Sequence, residues 1–283
     1  MDEAPFTRIC AVTALESDGD RARYRGVIDP IWTVGRKPHG GTMIAGSAAA
    51  ATQHLRSVHP NLAEMFPVSA STDFLGSPDP GEVEYEVRIR KTGRQICVVD
   101  SALVQSGRTM VHSVLTFAHL DDGEPAFRRD DIADMPVEPP ADAIVYEPDS
   151  PMGKLVHVCY GASMAIDPTW ARFIVGETGG ARVRMWIRPR EADGAAPDVA
   201  AYFAMMAGDI CPPTPLNMGH RGWAPTVQLT TYLRRRPAPG WLRVIGSTQE
   251  VGARLFDEDQ LVVDSTGAVV VQTRQLAMVP RSS

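Results

Sequence analysis

A chain of 283 residues with 44% hydrophobic residues can bury the core of one large domain or of two ordinary ones. Its 28 Lys and Arg against 34 Asp and Glu leave a net charge of −6. This argues against general nucleic-acid or membrane-surface binding, which favours clustered basic residues.

The opening M-D-E-A-P-F-T-R has no basic region followed by an apolar run, so no signal peptide is expected. No later stretch approaches the ~18 uncharged apolar residues of a membrane span. A strand is expected at 24–29, followed by G-R-K-P-H-G-G and a helix over about 42–56. That helix is rich in Ala and spaces Met43, Ile44, Ala48 and Leu55 for a buried face. Strand-like runs follow at 67–74, 81–90, 95–105 and 109–118, separated by the turns P-D-P-G, K-T-G-R and Q-S-G-R. Residues 1–125 thus form a first unit. The acidic, Pro-rich stretch within 126–150 has little periodicity and reads as a linker.

Residues 151–283 repeat the plan. A strand at 182–187 alternates Val183, Met185 and Ile187. A helix spans 197–209, with Pro197 at its start and Asp198 placed to cap it. Strands follow at 226–233, 242–251 and 256–263; D-S-T-G is a hairpin turn, and 268–278 is the closing strand. Aligning the turn glycines Gly107 and Gly267 sets Gln275 opposite Leu115. One position is apolar in one half and polar in the other, as duplication with one retained active site would leave. Each unit reads as an antiparallel sheet wrapped around one helix. Side by side, the two predict an α+β fold with a continuous sheet and two long buried helices.

Three polar residues stand out in the second unit: Asp209 at the helix end, Thr226 opening a strand, and Gln275 in an otherwise apolar strand. An unpaired buried amide costs about 1–3 kcal/mol, so packing alone gives little reason for Gln275. A carboxylate, a hydroxyl and an amide can together hold and activate a water without a metal or a covalent nucleophile. A carboxylate at the C-terminus of its own helix opposes the dipole, which a purely structural choice would avoid. His39 precedes Gly40 and Gly41 at a helix start, where free N–H groups can bind an anionic oxygen or a phosphate; a tight turn needing Gly conformations accounts for the pair equally well. Cys10, Cys97, Cys159 and Cys211 are far apart with no C-x-x-C, which disfavours structural zinc and fits reduced thiols in a cytoplasmic protein.

The segments H-G-G-T-M-I-A-G (39–46), R-K-T-G-R-Q-I-C-V-V-D-S-A-L-V-Q-S-G-R (90–108), M-A-G-D, P-T-V-Q-L-T-T-Y-L-R-R and V-Q-T-R-Q-L-A-M occur in this order over nearly the whole chain. Taken together they resemble the double-hotdog acyl-CoA thioesterases of type II. The resemblance implies a double hotdog, two long helices each wrapped by an antiparallel sheet. It implies Asp209, Thr226 and Gln275 as the catalytic groups acting on an acyl-CoA, with no cofactor. It places His39, Gly40, Gly41 and Arg94 on the substrate side, with Arg234, Arg235 and Arg236 as further candidates for CoA phosphates. The family often carries Asp-His-Ser after its Thr; this chain has Gln228-Leu229-Thr230, which leaves Thr230 and Thr231 as neighbouring candidates for the hydroxyl. Open sheet edges favour pairing into a homodimer.

Other readings compete. G-A-S-M-A (161–165) lacks the second Gly of a nucleophile elbow, and the only later histidine is His220, so a Ser hydrolase is rejected. A hotdog hydratase would need an Asp and a His a few residues apart at the helix entry, and 197–209 holds no His. A non-catalytic acyl-CoA- or lipid-binding protein of the same fold stays open.

Overall fold

Alternation decides the strands. From Val83 to Ile89 every second residue (Val83, Tyr85, Val87, Ile89) is buried and those between point outward. The computed structural model describes residues 4–129 and 134–281. In chain order its first half holds α1 (Pro5–Cys10), β1 (Thr13–Asp18), β2 (Arg21–Ile28), β3 (Thr33–Val34), β4 (Lys37–Pro38) and α2 (Gly40–Val58), then β5 (Phe66–Phe74), β6 (Gly81–Lys91), β7 (Cys97–Gln105) and β8 (Arg108–Ala118). The second half holds β9 (Ile144–Val145), α3 (Val158–Gly161), β10 (Ala162–Ile166), β11 (Arg182–Pro189), α4 (Glu191–Gly194) and α5 (Pro197–Ala207), then β12 (Thr226–Leu233), β13 (Leu242–Ser247), β14 (Leu255–Val263) and β15 (Val269–Met278).

Thirteen strands form one sheet in the order β1-β2-β6-β7-β8-β5-β12-β15-β14-β13-β11-β10-β9. The two halves meet where Gln228–Tyr232 of β12 runs antiparallel to Asp73–Ser69 of β5. The register reproduces the expected repeat. Leu115 pairs with Ala70 and Val99, while Gln275 pairs with Leu229 and Glu258. Pro67 faces Phe117 beside a bulge, and Thr226 faces Ala277 beside the same kind of bulge. So Val99, Leu115 and Pro67 of the first half occupy the places of Glu258, Gln275 and Thr226.

The helices lie against the inner face of the sheet. From Gly41 to Thr52, α2 is buried on every side, with α5 packed beside it. Its run of small residues permits this, and at Gly46 an added Cβ would collide with the Tyr85 hydroxyl. One core cluster extends through both halves.

Several expectations need correction. The second helix has 11 residues against 19 in α2 and ends at Ala207, so Asp209 lies in the turn beyond it and only one helix is long. Asp198 does not cap α5: Ala196 is the N-cap without a side-chain bond, and Asp198 instead forms an ion pair with Arg56 of α2. The strand expected to reach 251 stops at Ser247. Ser163 of G-A-S-M-A sits in β10 directly after α3, the reverse of a strand-to-helix elbow. Residues 130–133 of the expected linker lie outside the described residues. The segment from Asp134 onward is fastened to the second half. Asp134 takes Arg184 at 2.9 and 3.0 Å, Trp186 Nε1 donates to the Pro136 carbonyl at 2.9 Å, and Ile144–Val145 pairs with β10.

Helix α1 was not foreseen. Phe6 packs edge-to-face on Trp32 and on Phe203 of α5, at 5.3 and 5.1 Å. The buried Asp193 accepts the N–H groups of Phe6 (3.0 Å) and Thr7 (2.7 Å) and the Thr7 hydroxyl (2.8 Å).

Leu115 is fully buried. Leu115→Ala should therefore destabilise the protein by about 2–5 kcal/mol through lost burial and the cavity left behind, read as a lower urea midpoint at unchanged slope. A stability change below about 0.5 kcal/mol would contradict its placement in the core.

Candidate active site

Two short segments meet at the site. The turn after α5 is tied down by Asp209 N–H donating to the Met206 carbonyl (3.1 Å) and by the Thr273 hydroxyl donating to the Gly208 carbonyl (2.7 Å). This aims the Asp209 carboxylate at the N-terminus of α2, where Gly41 N–H donates to Oδ2 at 2.7 Å. The sequence reading set this carboxylate against the dipole of its own helix. In the fold it sits instead at the positive end of the other helix.

The glycine pair has a steric cause. A Cβ on Gly40 would stand 2.5 Å from Asp209 Oδ2, and one on Gly41 would overlap the Met206 carbonyl. Neither residue has a positive φ, so close approach rather than backbone conformation demands them. His39 Nε2 lies 2.9 Å from the Asp209 carbonyl oxygen, which only accepts, so this nitrogen carries the proton. Its Nδ1 lies 3.3 Å from the Thr42 hydroxyl. His39 thus ties the Asp209 backbone to the start of α2. Burial raises the Asp209 pKa above the ordinary carboxylate value, while His39 and the Gly41 N–H pull it back.

The sheet supplies the other arm. Thr226 Oγ1 donates to Gln275 Oε1 at 2.8 Å, and Gln275 Nε2 donates to Glu258 Oε1 at 3.4 Å. Thr230 and Thr231 make no such bond: Thr230 Oγ1 accepts from Gln228 at 2.9 Å, and Thr231 lies buried opposite Thr273 and Ala70. Glu258 was missed by sequence reasoning. Its signal was present, because the alternation that buries Phe256 and Val262 puts Glu258 and Gln260 on the same face. Glu258 is fully buried and accepts Gln260 Nε2 at 3.0 Å and Thr214 N–H at 2.7 Å. Burial pushes its pKa up to about 8; the Asp209 charge adds to this, and the Thr214 and Gln260 bonds oppose it. Cys211 is within electrostatic reach of both carboxyls. Burial and then their charges raise its thiol well above the usual value. The arm from α5 and the arm from the sheet are therefore coupled electrostatically.

Arg94 is not brought to this cluster. It is exposed in the turn between β6 and β7. Cys97 Sγ, at the start of β7, donates to the Gly93 carbonyl in that turn and contacts Met65, whose carbonyl is held by Arg56 near the C-terminal end of α2. That end is roughly 22 Å along the helix axis from Gly41. Arg236 stacks on the Phe66 ring at 4.7 Å, Arg234 lies 4.0 Å from Asp121, and Arg235 lines a groove on the outer face of the second half. Among the described residues, no group of three His, Cys, Asp or Glu side chains is placed to hold a metal ion. No described helix is long and apolar enough to cross a membrane.

Residues 28–118 match the family model of an acyl-CoA thioesterase N-terminal domain, and residues 130–279 match that of an acyl-CoA thioesterase C-terminal domain. An uncharacterized protein of Mycobacterium tuberculosis is 39% identical over 295 residues, covering 98% of this chain and 99% of the relative. A solved structure of a candidate thioesterase II from Thermobifida fusca is similar with a TM-score of 0.81 and 27% identity, over 98% of both chains. A protein of unknown function with a hot dog fold from Alicyclobacillus acidocaldarius is similar with a TM-score of 0.74 and 17% identity, over 98% of both chains. The last likeness shows the fold alone.

The raised pKa of Glu258 fixes the sign of a pH effect. The folded state holds the proton up to about pH 8, the unfolded chain only to about 4.5, so the stability this group contributes is full below 4.5 and is lost as pH rises to about 8. Glu258→Gln keeps the neutral shape without the proton uptake. The stability of Glu258→Gln relative to the parent should rise between pH 5 and 8, by up to about 1.4 kcal/mol per pH unit, and level off above. Urea unfolding at a series of pH values reads this difference. A difference constant from pH 5 to 9 would show that Glu258 is ionised in the folded protein.

Proposed function

The chain belongs to the acyl-CoA thioesterase family, and on that premise we propose that it hydrolyses an acyl-CoA with a water activated by Asp209. The observation that carries this reading is the Asp209 carboxylate itself, only 10% exposed at the N-terminus of α2 and raised in pKa. Such a group is a better proton acceptor than an ordinary carboxylate. The Thr226 hydroxyl has given its hydrogen to Gln275, so its lone pairs are left to accept from the water.

Hydrolysis then proceeds in two balanced steps. Asp209 takes one proton from the water while the water oxygen bonds to the thioester carbon, and the carbonyl π pair moves onto oxygen. Collapse of this tetrahedral species breaks the C–S bond, and the proton on Asp209 passes to the departing CoA sulfur. The products are a carboxylic acid and CoA. Gly41 N–H is engaged by Asp209, so within the glycine pair the oxyanion donor is Gly40, whose N–H has no intrahelical acceptor at a helix start. The acyl chain would lie against the apolar flank of a central helix, with CoA over basic residues at the rim. Edge strands β1 and β9 leave unpaired backbone, and β1 is exposed along its whole length, which supports assembly into a homodimer. All four cysteines are free thiols, as in a reducing cytoplasm.

Purified protein should release thiol from at least one of a panel of short-, medium- and long-chain acyl-CoAs, at a rate indifferent to EDTA. A rate abolished by EDTA would contradict a water activated by carboxylate alone. Binding of acyl-CoA without thiol release would favour a non-catalytic carrier.

Asp209→Asn is nearly isosteric and still accepts from Gly41, so melting should change little while kcat falls by roughly 10²–10⁴. Gln275→Ala should also lower kcat, with a smaller drop in melting temperature than Leu115→Ala. Normal turnover in either well-folded variant would remove that residue from the mechanism.

A further inference from the structure

We propose that Glu258 is a positioning residue for this reaction: it anchors the Gln275 amide in the orientation that hands the amide oxygen to Thr226. The inference rests on the catalytic reading of Asp209, Thr226 and Gln275, and goes beyond it by adding a fourth group.

The amide lies between two polar partners. A primary amide has a donating and an accepting end, and Gln275 has a polar partner at each. The Thr226 hydroxyl meets Oε1 at 2.8 Å and the Glu258 carboxyl meets Nε2 at 3.4 Å. Glu258 is itself held in place by its neighbours. Gln260 Nε2 donates to Oε1 at 3.0 Å, Thr214 N–H donates to Oε2 at 2.7 Å, and the Thr214 hydroxyl in turn meets that of Thr248. Gln260 Oε1 also accepts the Cys211 N–H at 3.2 Å, two residues beyond Asp209. The network therefore links the strand bearing Gln275 to the turn bearing Asp209.

The pseudo-equivalent half supplies an independent argument. Val99 stands at the place of Glu258, Leu115 at that of Gln275 and Pro67 at that of Thr226, each set by strand pairing. Packing at the Glu258 position is thus satisfied by a Val in the same fold. A buried carboxyl there costs desolvation that packing does not need. The three substitutions occur together in one half, which groups Glu258 with the two residues it contacts or supports. The titratable groups facing Glu258 are Asp209 and Cys211 from the segment after α5; β13 brings Gly246, the residue after it is Thr248, and β15 brings Gln275.

The test compares the parent with Glu258→Met, Glu258→Gln and Gln275→Ala. The readouts are kcat, KM, melting temperature and the ¹H–¹⁵N side-chain amide signal of Gln275, assigned by its loss in Gln275→Ala. Methionine fills a similar volume without an acceptor. Glu258→Met should lower kcat by about 10-fold or more with KM within about 2-fold, and should shift the Gln275 signal towards that of a solvent-exchanging amide. Glu258→Gln keeps an acceptor oxygen and should recover most of the turnover. In the parent the Gln275 signal should move with pH as the facing carboxyl ionises near pH 8, and in Glu258→Gln it should not. An unchanged kcat in folded Glu258→Met overturns the inference. So does a Gln275 signal indifferent to pH between 6 and 10 in the parent, which serves also if Glu258→Met does not fold. If Asp209→Asn and Gln275→Ala turn over normally while the Gln275 signal responds to Glu258, the catalytic reading of the site fails and the anchoring does not.

Discussion

The contact between the Asp209 carboxylate and the start of α2 is the constraint on which the site depends. It joins a turn of the second half to a helix of the first through one charge-assisted bond at 2.7 Å. The bond needs backbone with no Cβ at Gly40 and Gly41, a turn held by Thr273, and a histidine that grips the Asp209 carbonyl. The helix dipole and the N–H stabilise the anion, while burial disfavours it. The balance leaves its pKa above that of an ordinary carboxylate.

The repeated halves show how one fold tolerates two chemistries. The same register and the same bulge recur, yet apolar side chains at Pro67, Val99 and Leu115 give way to Thr226, Glu258 and Gln275. In the first half these positions contribute burial. In the second they carry polar groups whose desolvation is offset by hydrogen bonds to one another. The buried carboxyl of Glu258 is the clearest sign of the exchange, since its pKa is displaced upward by the core around it.

Much of this was legible in the sequence because it rests on short-range periodicity. The period of two in β6, the small-residue run of α2 and the paired turn glycines Gly107 and Gly267, both left-handed, give the strands, the central helix and the repeat. Asp209 and Gln275 stand out as polar groups near apolar runs, whereas Thr226 is an ordinary strand residue marked only by the family resemblance. What escaped was whatever depends on residues far away in the chain. Helix α1 has no cap of its own and takes one from Asp193, so no local signal marks it. Asp198 looked like a cap and became the partner of Arg56. The segment at 134–136 is held by the Asp134 carboxylate on Arg184 and by the carbonyls of Met135 and Pro136, whose partners all lie far along the chain. Glu258 lay on a readable alternation, but a carboxylate in a strand of mixed polarity does not announce that its face is covered.

The clasp of α1 by Asp193 also bears on how the chain is made. Phe6 and Thr7 find their partner some 186 residues later, and β5 gains its neighbour only with β12. Contacts of such long sequence separation form slowly, because loop closure must precede their reward. During synthesis the first half must therefore wait with an open sheet edge and an uncovered aromatic anchor. The finished enzyme hides the very surfaces that its nascent chain is obliged to display.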